Sequence, residues 1–231
     1  MPLLARREPG SVRVTFLDVH PAAAASVARL VEALGLAGFV RDVVVADATS
    51  WEPPRGARFD LLVVEAMERS LAREPQAAIC RRLVPHLAPS GFLLPERVSV
   101  DLVLSDPEVE MADGADGEAR AAVRLAAGRL LELTRESAAA PPGPSGAFPP
   151  VTVVLPAAIG PRRRATLVTS VHVHGGHSVA EGASGLTTPE VLWGIPSLPA
   201  GARLCFRYRE GRAPGLTWSV PDDGAPRPAG S

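Results

Sequence analysis

Short continuous apolar runs alternate with amphipathic segments through about residue 96, and this alternation restricts the fold more than any other feature of the chain. The first run, Val12-Arg13-Val14-Thr15-Phe16-Leu17-Asp18, is rich in β-branched residues and closes on an acid, which reads as a strand. Pro21 then opens an Ala-rich segment through residue 34. Its apolar positions Val27, Leu30, Val31 and Leu34 recur at helical spacing, and Gly35 follows as a stop. Val43-Val44-Val45-Ala46-Asp47 and Asp60-Leu61-Leu62-Val63-Val64-Glu65 read as buried strands ending on acids, with a Pro- and Gly-rich turn over 51–58 between them. A second helix is predicted over 75–87, and Ser90-Gly91 turns it into a further strand, Phe92-Leu93-Leu94-Pro95.

Continuous apolar strands joined by amphipathic helices predict an α/β fold with a parallel sheet, because right-handed crossovers place the helices on both faces. In such sheets ligands gather outside the carboxyl ends of the strands, and Asp18, Asp47 and Glu65 all fall there. After Arg97 the pattern changes. A strand over 98–104 and a helix over 117–136 are followed by a loop over 138–150 made mostly of Ala, Pro, Gly and Ser. Four strand-like runs then follow, over 151–155, 165–174, 202–209 and 216–220, which predict an antiparallel sheet or partial barrel. The expected domains are therefore 1–96 and 97–220, the second with a helical insertion near 117–136, and a disordered tail over 221–231.

The formal net charge of -1 speaks against a nucleic-acid partner, which calls for a basic excess or stripe; only Arg162-Arg163-Arg164 is locally basic. No stretch approaches the roughly 18 apolar residues of a membrane span, and no leader is read at the start, so a cytoplasmic location and no membrane partner are expected. Cys80 and Cys205 lie in unrelated segments and suggest neither a metal clip nor a disulfide. His172, His174 and His177 carry the residue type zinc favours, but no suitable fourth ligand is near in sequence, so no metal site is expected. Ser178 lacks the turn that would mark it as a nucleophile.

The segment Glu65-Ala66-Met67-Glu68-Arg69-Ser70-Leu71-Ala72-Arg73-Glu74 puts two carboxylates across a strand end and the start of the next helix. Here the chain resembles the protein arginine methyltransferases and their bacterial relatives, whose double-glutamate loop reads E-x-M-x-x-x-L-x-x-E. Glu65, Met67, Leu71 and Glu74 match it. The resemblance continues in order through Asp18, through Asp47-Ala48-Thr49, and through a Pro-Ser-Gly turn leading to Leu94-Pro95. In the second half, Leu186-Thr187-Thr188-Pro189 and Trp193 are similar to the family's S-T-x-P and its Trp-containing loop.

The resemblance implies a class I, Rossmann-like S-adenosylmethionine fold followed by a β-barrel-like domain. It implies S-adenosylmethionine as cofactor, bound by Asp18, Asp47, Ala48 and Thr49, with Glu65 and Glu74 catalytic and Met67 and Trp193 on the substrate side. The methyl acceptor would be a guanidino or other nitrogen group on a protein, peptide or small molecule. Read from the residues alone, Asp18 also fits a helix cap, and Asp47 a turn with Thr49 and Ser50.

The chain departs from the family in carrying no glycine-rich GxGxG loop and no first strand, in Ala66 after the first glutamate, and in Leu192 before Trp193. In the family order the missing strand is central. Three arrangements would accommodate its absence: direct pairing of the flanking strands, insertion of the strand by a partner subunit, or a longer gene product. A homo-oligomer is the other assembly expected. The reading of a different class is a catalytically inactive relative that serves as a binding or scaffolding subunit.

Overall fold

The structure, a computed structural model, describes residues 7–8, 10–112, 117–143, 146–211, 213–221 and 227–228. Two compact units make up the chain, Met1–Ala57 and Arg58–Ser231.

In the first unit, β1 (Val14–Asp18) and β2 (Val40–Val45) pair in parallel around the crossover helix α1 (Pro21–Ala33). Pro21 sits in the first turn of α1, where its missing N–H would have no helical partner in any case. The helix stops at Gly35, whose φ of +65° suits a residue without a Cβ. There the Leu36 N–H donates to the Val31 carbonyl at 2.8 Å and the Gly35 N–H to the Glu32 carbonyl at 3.0 Å, the paired bonds of a Schellman cap. That cap places Leu36 beside Val31, and with Phe39 they form the unit's core, against which Val14, Phe16 and Val27 pack.

The second unit opens with another parallel pair, β3 (Phe59–Val63) and β4 (Leu87–Leu94), joined through α2 (Gln76–Leu83). The predicted helix over 75–87 is shorter because Val84-Pro85-His86 tightens into a 3₁₀ turn and β4 begins at Leu87. Gly91 is required by close approach: a Cβ there would stand 2.8 Å from the Phe59 carbonyl oxygen of β3. α2 buries Ala77, Ile79, Cys80 and Leu83, and burial pushes the Cys80 thiol up to about 12. Leu61, Val63 and Phe92 lie on the other face of the β3–β4 pair and are exposed.

Both parallel pairs are two-stranded sheets; neither gains a third strand from the described residues, so each keeps an open edge.

The remaining elements are β5 (Arg97–Ser105), α3 (Pro107–Glu110), α4 (Gly117–Val123), β6 (Leu125–Thr134), α5 (Arg135–Ala139), β7 (Val151–Val154) and β8 (Arg164–His174). They are followed by β9 (His177–Val179), β10 (Glu190–Val191), β11 (Arg203–Arg209), β12 (Gly215–Ser219) and β13 (Arg227–Pro228). They build two antiparallel sheets of order β10-β8-β5-β6, with β9 on β8, and β13-β12-β11-β7. The expected antiparallel pairing is present, and among the described residues the sheets stay open with no closed barrel. The predicted switch from parallel to antiparallel pairing falls between β4 and β5. The expected tail over 221–231 lies mostly outside the described residues, and of those described Arg227–Pro228 pair with β12.

The helix expected over 117–136 is a short helix, α4, followed by a strand, β6. β5 is buried and already paired with β8, so its second edge needs a partner, and β6 supplies one along its whole length. Two register shifts in that pairing disturb the simple alternation of a strand, which is why Leu130, Leu131 and Leu133 mimic helical spacing and are all buried. At the turn between α4 and β6, Arg124 is held by two carboxylates. It donates to Glu110 at 2.6 and 2.7 Å and to Glu181 at 2.6 and 2.8 Å, and the Glu110 side chain is fully buried.

Candidate functional site

The carboxyl ends of β1 and β2 bring Asp18 and Asp47 to one end of the first unit's sheet. Asp18 is half-buried, and its Oδ1 accepts the His20 N–H at 2.7 Å, leaving Oδ2 without a partner among the described residues. Asp47 closes a turn: its Oδ1 accepts the Thr49 hydroxyl at 2.7 Å and the Thr49 N–H at 2.8 Å. Those two bonds, the hydroxyl's first, hold the Asp47 carboxyl below its usual range. Ala48 and Thr49 are half-buried in the same turn. Asp18 thus keeps an acceptor oxygen that can take hydrogen bonds from hydroxyl groups.

In the second unit, residues 64–76 leave β3, cross to α2, and are fastened at both ends. At the entrance, Gln76 is 1% exposed and clamps the chain on either side of Glu65. Its Nε2 donates to the Val64 carbonyl and its Oε1 accepts the Ala66 N–H, each at 2.9 Å. Further along, the Ser70 N–H donates to Thr169 Oγ1 at 2.9 Å and the Ser70 hydroxyl to Glu190 Oε2 at 2.9 Å. The Tyr208 hydroxyl donates to the Leu71 carbonyl at 2.8 Å, and the Arg73 N–H to the Pro214 carbonyl at 2.9 Å. Ser70, Leu71 and Arg73 have φ values of 59°, 52° and 63°. Each such left-handed residue costs about 1–3 kcal/mol, and three anchors from β8, β10 and β11 with a fourth from the β11–β12 connection are what offset it.

Glu65 is exposed on this loop and, with Glu68 and Arg69, lines an open concavity of about 410 Å³ whose far wall is Ser184, Gly185 and Leu186. A narrower concavity of about 220 Å³ adjoins it, sharing Glu68 and Arg69 and extending to Glu190, Arg209 and Gly215. Glu74 is exposed just before α2 and lines neither space; neither Glu65 nor Glu74 has a side-chain partner among the described residues. Met67 is 6% exposed and packs into the core. Trp193 is 51% exposed, with the Arg164 guanidinium 5.7 Å from its ring centre, and lines neither concavity.

Gln76, Ser70, Glu190 and Tyr208 carry no signal in the sequence, because their partners are distant or are backbone groups. His172, His174 and His177, singled out by spacing, stand on the β8–β9 hairpin. Glu96 lies between two of them, its Oε1 2.5 Å from His174 Nδ1 and its Oε2 3.3 Å from His172 Nε2, and the bond with His174 holds the Glu96 carboxyl below the usual carboxylate range. Ser178 Oγ is 3.1 Å from His172 Nδ1, on an exposed hairpin that neither concavity reaches.

Compared by sequence, the chain matches no protein-family description and no curated protein. Compared by structure, it is similar to the Trypanosoma brucei PRMT1 enzyme-prozyme heterotetrameric complex with AdoHcy, at a TM-score of 0.58 and 11% identity. The match covers 90% of this chain and 76% of that one. At that identity the likeness shows the fold, which is methyltransferase-like. No helix among the described residues is long and apolar enough to cross a membrane.

Proposed function

We propose that the chain is an S-adenosylmethionine-dependent methyltransferase of the arginine-methyltransferase type. In this reading Asp18, Asp47, Ala48 and Thr49 meet the cofactor's ribose and adenine. Glu65 holds a guanidino or other nitrogen acceptor at the concavity; Glu74, Met67 and Trp193, which the resemblance assigns to the acceptor side, line neither concavity, and Glu74 is the second carboxylate of the reading. The observation that carries it is the loop over 64–76: a strained segment, anchored at both ends, that presents an unpartnered Glu65 at the mouth of a concavity. The methyltransferase-like fold supports it.

The cofactor supplies an electrophilic methyl group on a sulfonium. A carboxylate facing a guanidinium makes charge-assisted, paired hydrogen bonds that fix the nitrogen's direction. Holding the acceptor so is an entropic contribution to the rate, and a second carboxylate can take the proton that the methylated nitrogen sheds. Replacing Glu65 with Gln keeps the size and removes the charge. In a preparation that turns over, Glu65→Gln abolishes methyl transfer with its unfolding midpoint unchanged; near-normal turnover would contradict the assignment.

These 231 residues carry no GxGxG loop, so in this reading the contacts to the cofactor's methionine end come from a partner or from a further segment of a longer gene product. The open edges of β1 and β3, with Leu61, Val63 and Phe92 exposed beside the latter, are where an added strand pairs. The partner is another subunit or a second copy.

A further inference from the structure

The narrower concavity of the second unit carries charges of both signs. Arg69 is half-buried there and Arg209 stands at its rim, and neither guanidinium has a hydrogen-bond or ion-pair partner among the described residues. Glu190 lines the same concavity; one of its oxygens accepts the Ser70 hydroxyl and the other has no partner among the described residues. Glu68 meets only the exposed Arg73, at 3.6 Å. Two free cations and a free carboxylate oxygen converge on a space of about 220 Å³, too small for a folded segment but ample for a charged head group.

Arg69 and Glu68 also line the open concavity that contains Glu65. A molecule whose nitrogen base lies at Glu65 therefore finds complementary charges at its other end only if that end bears an anion and a cation together. An internal residue of a peptide bears neither, since its α-nitrogen and α-carboxyl are tied up in amides.

We infer that the narrower concavity is a head-group subsite for a free amino acid with a basic side chain. Arg69 and Arg209 receive the α-carboxylate, and Glu190 receives the α-ammonium. The inference rests on the proposed function for the role of Glu65, and it deepens that reading by naming the acceptor class. Arg69 suits the carboxylate because a guanidinium donates two parallel hydrogen bonds to it.

The test is calorimetric titration of the whole chain with three probes: L-arginine, agmatine, which lacks the carboxylate, and a short peptide with an internal arginine. L-arginine is expected to bind at least about tenfold more tightly than agmatine or the peptide, since each loses charge-assisted bonds of the head group. Arg209→Gln is expected to bring L-arginine down to the affinity of agmatine, and Glu190→Gln to weaken L-arginine while sparing argininic acid, which lacks the ammonium. Equal binding of L-arginine and agmatine, tighter binding of the peptide, or no binding of any probe would overturn the inference. The two readings fail separately. Head-group selectivity in a chain that binds no S-adenosylhomocysteine would sink the methyltransferase reading alone, and Glu65-dependent methyl transfer without that selectivity would sink the subsite alone.

Discussion

Gln76 fixes Glu65 without touching it. One buried amide satisfies the carbonyl before the glutamate and the N–H after it, so the direction of Glu65 is set from α2. Gln76→Leu keeps the volume and strips both bonds, and each buried backbone group left unsatisfied costs about 1–3 kcal/mol. Urea unfolding is expected to show a loss in that range or up to twice it; an unchanged midpoint would mean that the clamp is not structural. The Asp47 turn gives a pH dependence. Its folded pKa is lowered from 3.8 by the Thr49 bonds, so its contribution is fully present above that value and vanishes as pH falls through the lower one. The carboxylate is at the surface, so the readout is local: NMR of the Thr49 amide should hold its bonded shift below pH 3.8 and lose it on further acidification. Of these residues, Glu65 and Glu74 are singled out in the sequence because their spacing is a local pattern, and the fold puts only Glu65 on a concavity. Gln76, Ser70 and Tyr208 are not singled out, because their partners lie 10, 99 and 137 positions away and only the fold brings them together.

Parallel pairing around crossover helices was readable because the strands are continuous apolar runs and Pro21 and Gly35 mark where a helix begins and stops; Ser90-Gly91, expected as a turn, lies inside β4, where Gly91 allows the close approach of β3. The segment over 125–134 was not readable, since its leucines fit a helical period and only the unsatisfied edge of β5 makes it a strand. What separates α4 from β6 is Arg124, gripped by Glu110 and Glu181. Removing one partner of a buried pair leaves the other uncompensated, so Arg124→Ala is expected to destabilise the second unit by about 3–5 kcal/mol. Thermal unfolding checks this, and Glu110→Leu combined with Arg124→Met should recover most of the loss. Failure of the double variant to recover would mean that the helix turn itself, more than the buried charge, depends on the pair.

At the scale of the whole molecule, a methyltransferase-like fold contains two separate two-stranded parallel pairs among the described residues. Two-stranded parallel sheets are normally parts of larger ones, and here each has an open edge, with exposed apolar side chains beside the edge of β3. In the proposed reading the loop over 64–76 receives the acceptor, and Asp18 and Asp47 meet the cofactor without a glycine-rich cradle. Binding of the adenosine end, with weak discrimination of the methionine end, is what this arrangement predicts for the chain alone. The most direct measurement is calorimetric titration with S-adenosylhomocysteine of the unmodified chain and of Asp18→Ala side by side. The account predicts saturable binding that Asp18→Ala abolishes; no binding to the unmodified chain, or equal binding to both, would contradict it.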